Sequence, residues 1–352
     1  MPKKVAYCTG FWSTNIGNAF FSLGVEYVLK QILGEKNITV VSDYQTYTTG
    51  YGKRLYPDRN QLNYISKLDV DYVVLAGPVL SRYFLILWKD ILIDLEKRGV
   101  RYMILSAGMM KMTENALKES QAFFEQHPPF ILSSRDHRTY ETFGKYAEHA
   151  YDGICFSFYA PDYYHPVPMT EAFITMNFDK IQEPKVWIDE NSGSGFEFDG
   201  HFWHVKHEGL LTRTAMKTDR FSDALIYAAS IFPQKKREDR IGEYAVFRTD
   251  HRFHPHYREK IYSQANSFCA DLPYGYLELY ANSALTLSDR VHACAVTMAY
   301  GHPAMLFSKT NRVGLLERIG AGEITDRPVT LDMRWLEGEK QKQLDWLKTG
   351  LR

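Results

Sequence analysis

The sequence is poor in cysteine and carries no net charge. Its four cysteines, Cys8, Cys155, Cys269 and Cys294, lie far apart and form no C-x-x-C pair. Three of the four fall in or beside predicted buried elements, so we expect reduced thiols and no disulfide framework. Lysine and arginine total 42, and aspartate and glutamate also total 42. This balance disfavours nucleic acid as a partner, because such binding relies on a basic surface.

The sequence also lacks long apolar runs and common cofactor motifs. No hydrophobic run reaches the length of a membrane span, so no integral membrane segment is expected. Met1–Lys4 leads directly into a predicted strand and not into a signal peptide, which together with reduced thiols predicts a cytoplasmic protein. There is no G-x-G-x-x-G fingerprint, so a dinucleotide cofactor is not indicated.

What the sequence does have is a regular alternation of short apolar strands and helices. This pattern is typical of α/β proteins with parallel sheets. A chain of 352 residues exceeds the usual single core, so we predict two Rossmann-like domains. Prolines cluster between Ala160 and Pro168, and we therefore place the first domain at 1–165 and the second at 166–334. A polar helix is predicted at 335–352.

The clearest strand–helix unit lies between Asp271 and Gly320. A strand is predicted at 284–287, a helix at 291–300 and a second strand at 303–307. In open parallel sheets, ligands bind outside the carboxyl ends of the strands. The turn that follows the strand at 284–287 is therefore the first place to look for a binding site.

That turn carries polar and basic side chains. Ser288 and Asp289 stand where an N-cap is expected, and Arg290 and His292 fall in or beside the first helical turn. Free backbone N–H groups at a helix start favour an anion, and an arginine fork grips a carboxylate or phosphate at two points. The sequence therefore predicts an anionic ligand here.

Two other strand ends carry candidate ligand groups. The first is the polar loop that contains Asn15, Gly17 and Asn18, which either binds a phosphate or sugar through its backbone or is a plain helix cap. The second follows a predicted strand at 244–247 and contains Arg248 and His251. Anion binding and a structural role both stay open for this pair.

Histidines occur in two groups that invite a metal hypothesis. These are His201, His204 and His207 in one segment, and His251, His254 and His256 in the other. Histidines three apart would share one face of a helix, but no H-E-x-x-H motif is present and aromatic residues interrupt the first group. We therefore predict no metal site.

Three motifs in the second half resemble a known family. They are Ser288-Asp289-Arg290-Val291-His292-Ala293, Gly301-His302-Pro303 and Asn311-Arg312-Val313-Gly314-Leu315-Leu316. They resemble the C-terminal signature of polysaccharide pyruvyl transferases. Those enzymes move the pyruvyl group of phosphoenolpyruvate onto a sugar as a ketal. Their fold is similar to that of GT-B glycosyltransferases, with two Rossmann-like domains facing a cleft and a terminal helix that often crosses back to the first domain.

The resemblance implies roles for individual residues. Arg290 matches the anion-binding arginine, and His292 matches a histidine that either contacts phosphate or carries a proton. Ser288 and Lys309, the basic residue of the following loop, are expected to help bind substrate.

In the first half of the chain the resemblance is weaker. Asn15 and Gly17 match two positions of an N-x-G-D pattern, in which Asn18 replaces the acid. Arg135 and Asp136 resemble an R-D element. We include Arg135 among the substrate-binding candidates, although such a pair is more often a structural clamp.

The resulting prediction is a pyruvyl transferase that acts in polysaccharide or cell-surface glycan synthesis. Its donor substrate is phosphoenolpyruvate, no cofactor is expected, and the acceptor is a saccharide, either free or lipid-linked. Both a monomer and a homo-oligomer stay open. Two alternatives are a GT-B nucleotide-sugar glycosyltransferase and a non-catalytic relative that binds a saccharide or a partner.

Overall fold

The computed structural model describes residues 3–10, 12, 15–42, 55–56, 62–179, 181–189, 193–207, 237–252, 264–308 and 310–351. The chain divides into two compact units. The first consists of Met1–Phe11, Phe21–Tyr159 and Arg334–Arg352, and the second of Trp12–Phe20 and Ala160–Met333. The main division thus falls at residue 160, against the predicted 166, and the terminal helix groups with the first unit.

The first unit is built on a parallel sheet of six strands in the order β2-β1-β3-β4-β5-β6. The central strands are rich in valine, leucine and isoleucine and are buried along almost their whole length, as parallel strands covered on both faces must be. The strands are β1 Val5–Cys8, β2 Ile38–Val41, β3 Tyr72–Ala76, β4 Arg101–Ala107, β5 Ile131–Ser134 and β6 His149–Asp152.

Helices supply the apolar side chains that cover this sheet. One core cluster joins Phe84, Trp88 and Phe124 to β3 and β4 residues such as Val73 and Ile104. Four helices in the first part of the chain are α1 Gly17–Leu33, α2 Phe84–Lys97, α3 Glu114–Gln126 and α4 His137–Phe143. The first residues of α1 group with the second unit.

The terminal helix is fixed to the first unit by buried hydrogen bonds. Gln343 accepts from the backbone N–H of Ile154 through Oε1 at 2.7 Å, and the Tyr159 hydroxyl donates to the carbonyl of Lys340 at 2.8 Å. Trp346 stacks on Tyr151 with ring centroids 4.9 Å apart. These contacts explain why a helix of polar composition ends the chain within the first unit.

The second unit contains a six-stranded sheet in the order β11-β12-β7-β14-β15, with β13 also paired to β12. The pairings are parallel except between β11 and β12. Its strands are β7 Phe173–Asn177, β11 Arg240–Ile241, β12 Tyr244–Thr249, β13 Ser267–Phe268, β14 Thr286–Ser288 and β15 Ala304–Leu306. The described helices of this unit are α5 Ala160–Tyr163, α6 Tyr274–Asn282, α7 Val291–Ala299 and α8 Gly314–Glu317, and the terminal helix of the chain is α9 Met333–Gly350.

A small antiparallel sheet adds to the second unit. It has the order β8-β10-β9, with β8 Lys185–Ile188, β9 Gly195–Phe198 and β10 His201–Lys206. Two residues of the first histidine group, His201 and His204, lie in a strand and not on a helix. In strand β10, His201 and His204 point to opposite faces, and His204 stacks on Trp187 at 5.2 Å.

The predicted α/β class with two Rossmann-like parallel sheets is confirmed, and the GT-B-like arrangement about a cleft stays a prediction. None of the helices in the described ranges is long and apolar enough to cross a bilayer. None of the four cysteines, all of which lie in the described ranges, forms a disulfide, and Cys8, Cys155 and Cys294 are buried.

Candidate active site

The site is positioned by the carboxyl ends of strands β7, β12 and β14. These strands are neighbours, and β14 ends in register with β7, so that Ser288 lies beside Asn177. The Asn177 amide donates from Nδ2 to the carbonyl of Thr249 at 2.8 Å and to its Oγ1 at 3.0 Å. The Ser288 hydroxyl donates to the carbonyl of Asn177 at 3.1 Å. Because all these groups are buried, the three strand ends form one rigid platform.

The N-cap expected at Ser288 or Asp289 is wrong, because α7 begins after Arg290 and no side chain caps it. Ser288 instead accepts from the backbone N–H of Arg290 at 2.8 Å. The Asp289 carboxylate turns away and accepts from the backbone N–H of Asp179 at 3.2 Å and of Ile181 at 2.8 Å. Both side chains therefore stabilise the turn, and neither of them caps the first backbone N–H groups of α7.

Arg290 is almost fully buried and is held from one side. Its Nε donates to Oδ2 of Asp179 at 2.7 Å, and Oδ1 of Asp289 lies 3.8 Å away. Burial lowers the pKa of Arg290, but the neighbouring carboxylates outweigh it, so that the pKa is raised above its ordinary value. Nη2 of Arg290 is buried and has no hydrogen-bond partner among the described residues. The guanidinium is therefore fixed in position, and its Nη2 can still donate a hydrogen bond.

His251 is buried beside Arg290. Burial lowers the pKa of His251 to about 3; the nearby Asp179 raises it and the Arg290 cation lowers it further. The imidazole is therefore neutral through the physiological range, with one N–H group and one lone pair. Its Nε2 lies 2.6 Å from the Tyr280 hydroxyl, and its Nδ1 has no partner within the described part of the chain.

The hydrogen bonds around Tyr280 indicate which nitrogen of His251 carries the hydrogen. Thr249 Oγ1 accepts from Asn177 and lies 2.8 Å from the Tyr280 hydroxyl. If Thr249 donates to Tyr280, then Tyr280 donates to Nε2 of His251 and every hydroxyl hydrogen has an acceptor. The opposite direction leaves the Thr249 hydrogen buried without an acceptor, which costs about 1–3 kcal/mol. The network therefore favours an N–H at Nδ1 of His251.

Arg290 and His251 line a recess with about 260 Å³ of space that is partly open to solvent. Its walls are formed by Asn15, His251, Arg290, Val291, His292, Thr310 and Arg312. Arg312 adds a second guanidinium from the turn after β15, and His292 lies in the first turn of α7.

The loop before α1 also reaches this recess. The backbone N–H of Ile16 donates to the carbonyl of His251 at 2.8 Å, and Asn15 accepts from Gly17 through Oδ1 at 3.3 Å. A Cβ at Gly17 would lie 3.3 Å from both Nδ1 of His251 and Cβ of His292. Trp12–Phe20 belongs to the second unit, although the first domain predicted at 1–165 includes this loop.

Three other candidate residues do not line the recess. Arg248 does not line the recess: its Nε donates to Glu183 at 3.0 Å and its Nη2 to the carbonyl of Glu238 at 2.8 Å. Asn18 accepts from Nδ2 of Asn15 at 3.4 Å and lies outside the lining. Arg135 belongs to the first unit.

Three candidate residues cannot be placed, and two residues of the site were not predicted from the sequence. Lys309, His254 and His256 lie outside the described residues. Sequence reasoning missed Thr310 and Tyr280. Arg312 was part of a recognised motif, yet the loop cation was sought at Lys309.

Fold and site together define an α/β protein with a small recess, lined by cations and histidines, at the carboxyl ends of a parallel sheet. The sequence model of the family described as polysaccharide pyruvyl transferase matches residues 15–310. Because the match covers most of the chain, the protein belongs to the polysaccharide pyruvyl transferase family. This is a family of transferases.

Solved structures share a general likeness with the chain. The S. aureus MnaA–UDP co-structure has a TM-score of 0.48 and 11% identity, and the alignment covers 99% of this chain and 91% of that one. UDP-GlcNAc 2-epimerase from Neisseria meningitidis bound to UDP-GlcNAc has a TM-score of 0.45 and 11% identity, over 99% and 92% of the two chains. At this level of likeness, no ligand or activity is transferred to this chain. No curated protein matches the sequence.

The neutral state of His251 predicts a measurable pH dependence of stability. Its folded pKa of about 3 lies below the ordinary value near 6.5, so below pH 6.5 the unfolded chain binds a proton that the folded protein does not. The contribution of His251 to the free energy of unfolding therefore falls as pH falls from 6.5 towards 3, by up to about 1.4 kcal/mol per pH unit. Replacing His251 with Asn removes this contribution.

We expect the fall in Tm between about pH 7.5 and pH 5.5 to be smaller in His251→Asn than in the wild type, by about 2 °C. Differential scanning calorimetry at both pH values measures this. His149→Asn, which replaces an exposed histidine, is the control and should keep the wild-type difference. The same loss of Tm in all three proteins would show that His251 is not held neutral.

Proposed function

We propose that this protein transfers the pyruvyl group of phosphoenolpyruvate onto two hydroxyls of a saccharide as a ketal. The observation that carries the proposal is the recess, in which Arg290, Arg312 and two histidines from separate segments meet. Membership of the polysaccharide pyruvyl transferase family supports the reaction class. We further propose a cytoplasmic role in polysaccharide or cell-surface glycan synthesis, with a free or lipid-linked acceptor.

The residues of the recess suit a small molecule with a carboxylate and a phosphate. Arg290 is fixed by Asp179 and keeps Nη2 as a donor, so it can grip one anionic group without reorganising. Arg312 supplies a second cation on another wall. The start of α7 adds backbone N–H groups near Val291 and His292, which favour negative charge.

The chemistry needs one proton and two attacks on the same carbon. Protonation of the terminal vinyl carbon leaves the adjacent carbon electron-poor, and a saccharide hydroxyl adds to it and loses its proton. The bond from this carbon to the phosphate oxygen then breaks and inorganic phosphate leaves. A second hydroxyl adds in its place and loses its proton, which completes the ketal. Groups that hold the anions and stabilise this charge are the main requirement for the protein.

The two histidines of the recess receive different roles in this proposal. His251 is neutral because its pKa is about 3, so at pH 7 it cannot act as a cationic proton donor. It is suited to donate a hydrogen bond from Nδ1 to an anionic oxygen of the donor substrate. His292 is the other histidine in the recess, and we propose that it delivers the proton to the vinyl carbon.

Phosphate release tests the function directly. Purified protein, phosphoenolpyruvate and a panel of saccharides are expected to yield inorganic phosphate and a saccharide heavier by one pyruvyl group, measured by mass spectrometry. The same assay with a chelator is expected to give the same rate, since the proposed chemistry uses protein cations. Transfer of sugar from a nucleotide sugar, with no phosphate released from phosphoenolpyruvate, would favour the glycosyltransferase alternative.

A further inference from the structure

Three aromatic rings of the second unit surround the imidazole of His251. The rings of Phe20, Tyr276 and Tyr280 meet it edge-on, with centroids 5.6, 5.6 and 5.7 Å away. Among the described residues, the Tyr280 hydroxyl is the one hydrogen-bond partner of the imidazole, 2.6 Å from Nε2. Tyr280 is fully buried and does not line the recess, whereas His251 does. Nδ1 is therefore the nitrogen of His251 that remains for a ligand.

A backbone carbonyl sets the direction of the hydrogen bonds that end at His251. The carbonyl of Thr249 can only accept, so the group of Asn177 that faces it at 2.8 Å is the amide nitrogen Nδ2. The same nitrogen donates to Thr249 Oγ1 at 3.0 Å, and the Thr249 hydroxyl in turn lies 2.8 Å from that of Tyr280. Once Tyr280 accepts from Thr249, its own hydrogen is left for Nε2. Four side chains therefore form one directed chain from Asn177 to His251.

Tyr280 is suited to be the last donor of this chain. Burial raises the pKa of its hydroxyl well above the ordinary value, so the hydroxyl keeps its hydrogen through the physiological range. The tautomer of a neutral imidazole is set by the hydrogen bond that one of its nitrogens makes. With Nε2 accepting from Tyr280, the hydrogen of His251 is on Nδ1, which can donate to an anionic oxygen. In the other tautomer Nδ1 would present a lone pair, which repels an anion.

We propose that Tyr280 is a positioning residue for the donor substrate: its hydroxyl holds His251 in the tautomer that donates from Nδ1 to an anionic oxygen of phosphoenolpyruvate. A neutral donor adds a hydrogen bond beside Arg290 without adding a second buried positive charge, which would be costly. The tautomer is a property of the hydrogen-bond chain alone. Its role toward phosphoenolpyruvate rests on the proposed function.

NMR of protein with 15N-labelled histidine measures the tautomer. In the wild type, Nδ1 of His251 should have the chemical shift of a nitrogen that carries hydrogen, and the signal lost in His251→Asn identifies it. In Tyr280→Phe, Nε2 loses its partner, so the Nδ1 shift should move toward that of a bare nitrogen as both tautomers become populated. Tyr276→Phe is the matched control. Its ring also contacts His251, but its hydroxyl donates to the carbonyl of Asp250 at 2.7 Å, so the wild-type tautomer should be kept.

Thr249→Val separates the hydroxyl of Tyr280 from a general disturbance of the hydrogen-bond chain. In this variant the Tyr280 hydroxyl has Nε2 of His251 as its only acceptor among the described residues, so the hydrogen of His251 should stay on Nδ1. Loss of that tautomer in Thr249→Val as well as in Tyr280→Phe would overturn the proposal, as would a wild-type His251 with its hydrogen on Nε2. Should Tyr280→Phe fail to fold, these two measurements still decide.

The affinity for phosphoenolpyruvate tests the substrate role. Titration with phosphoenolpyruvate should shift the Nδ1 signal of the wild type, and Tyr280→Phe should raise KM about tenfold with little change in kcat. Tyr276→Phe should keep the wild-type KM. An unchanged KM in a Tyr280→Phe variant whose tautomer has changed would show that His251 does not donate to the substrate. A wild type that binds phosphoenolpyruvate but releases no phosphate would instead refute the proposed function and leave the result on the tautomer intact.

Discussion

His292→Gln is expected to lower kcat for pyruvyl transfer by about a hundredfold or more, while KM for phosphoenolpyruvate changes little. Glutamine keeps a hydrogen-bond donor of similar reach but cannot carry a proton between pH 5 and 8. The expectation follows from the recess: His292 is one of two histidines in it, and the low pKa of His251 removes the other as a proton source. Steady-state kinetics across pH measures both quantities.

The pH profile distinguishes the two roles of His292. If His292 delivers the proton, the pH profile of kcat should be flatter in the variant than in the wild type. If it only contacts phosphate, glutamine should preserve most of the turnover and the profile should keep its shape. His302→Gln, which changes a half-buried histidine outside the recess, is the control and should behave as the wild type. Thermal melts of both variants establish that they are folded.

Much of the fold follows from local sequence patterns. The helix predicted at 291–300 is found at Val291–Ala299, and the strands predicted at 244–247 and 303–307 are found at Tyr244–Thr249 and Ala304–Leu306. Such elements are decided by residues close in sequence, namely by periodicity and by the turn residues that flank them.

The side chains whose partners lie far away in the sequence were harder to assign. Asp289 was expected to cap α7, but it accepts from the backbone of Asp179 and Ile181, which lie more than a hundred residues away in sequence. Arg248, for which anion binding and a structural role both stayed open, pairs with Glu183, 65 residues away. A side chain with a good local partner and a better distant one cannot be assigned from spacing alone, because the tertiary fold decides between them.

The candidate site likewise contains residues that the sequence indicated and one that it did not. Arg290, His292, His251 and Asn15 were candidates because each stands at a strand end, and the structure brings the four to one recess. Tyr280 could not be identified, since a tyrosine in an amphipathic helix reads as core. Only the hydrogen bond from its hydroxyl to His251 reveals that it orients a group of the site. The hydrogen bonds made by the polar ends of large aromatic side chains are the hardest interactions to predict from sequence.

Arg290→Lys is expected to raise KM for phosphoenolpyruvate by about 10- to 100-fold. Lysine keeps the charge but loses the planar fork, so it cannot hold Asp179 and grip a carboxylate or phosphate at the same time. A hydrogen bond to a charged group contributes about 1.5–3 kcal/mol, and its loss corresponds to this range of KM. Further loss of turnover is expected if the grip tightens in the transition state. Arg327→Lys, at an exposed arginine, is the control.

The Asp179–Arg290 pair allows the ligand role of Arg290 to be separated from its structural role. Arg290→Ala leaves the Asp179 carboxylate buried without its partner, which should cost about 3–5 kcal/mol of folding free energy. The Asp179→Asn/Arg290→Met double variant removes both charges and should recover part of that loss, measured by urea unfolding. Activity should not recover, because the donor toward the ligand is still absent. Near-wild-type transfer by this folded double variant would mean that phosphoenolpyruvate binds elsewhere.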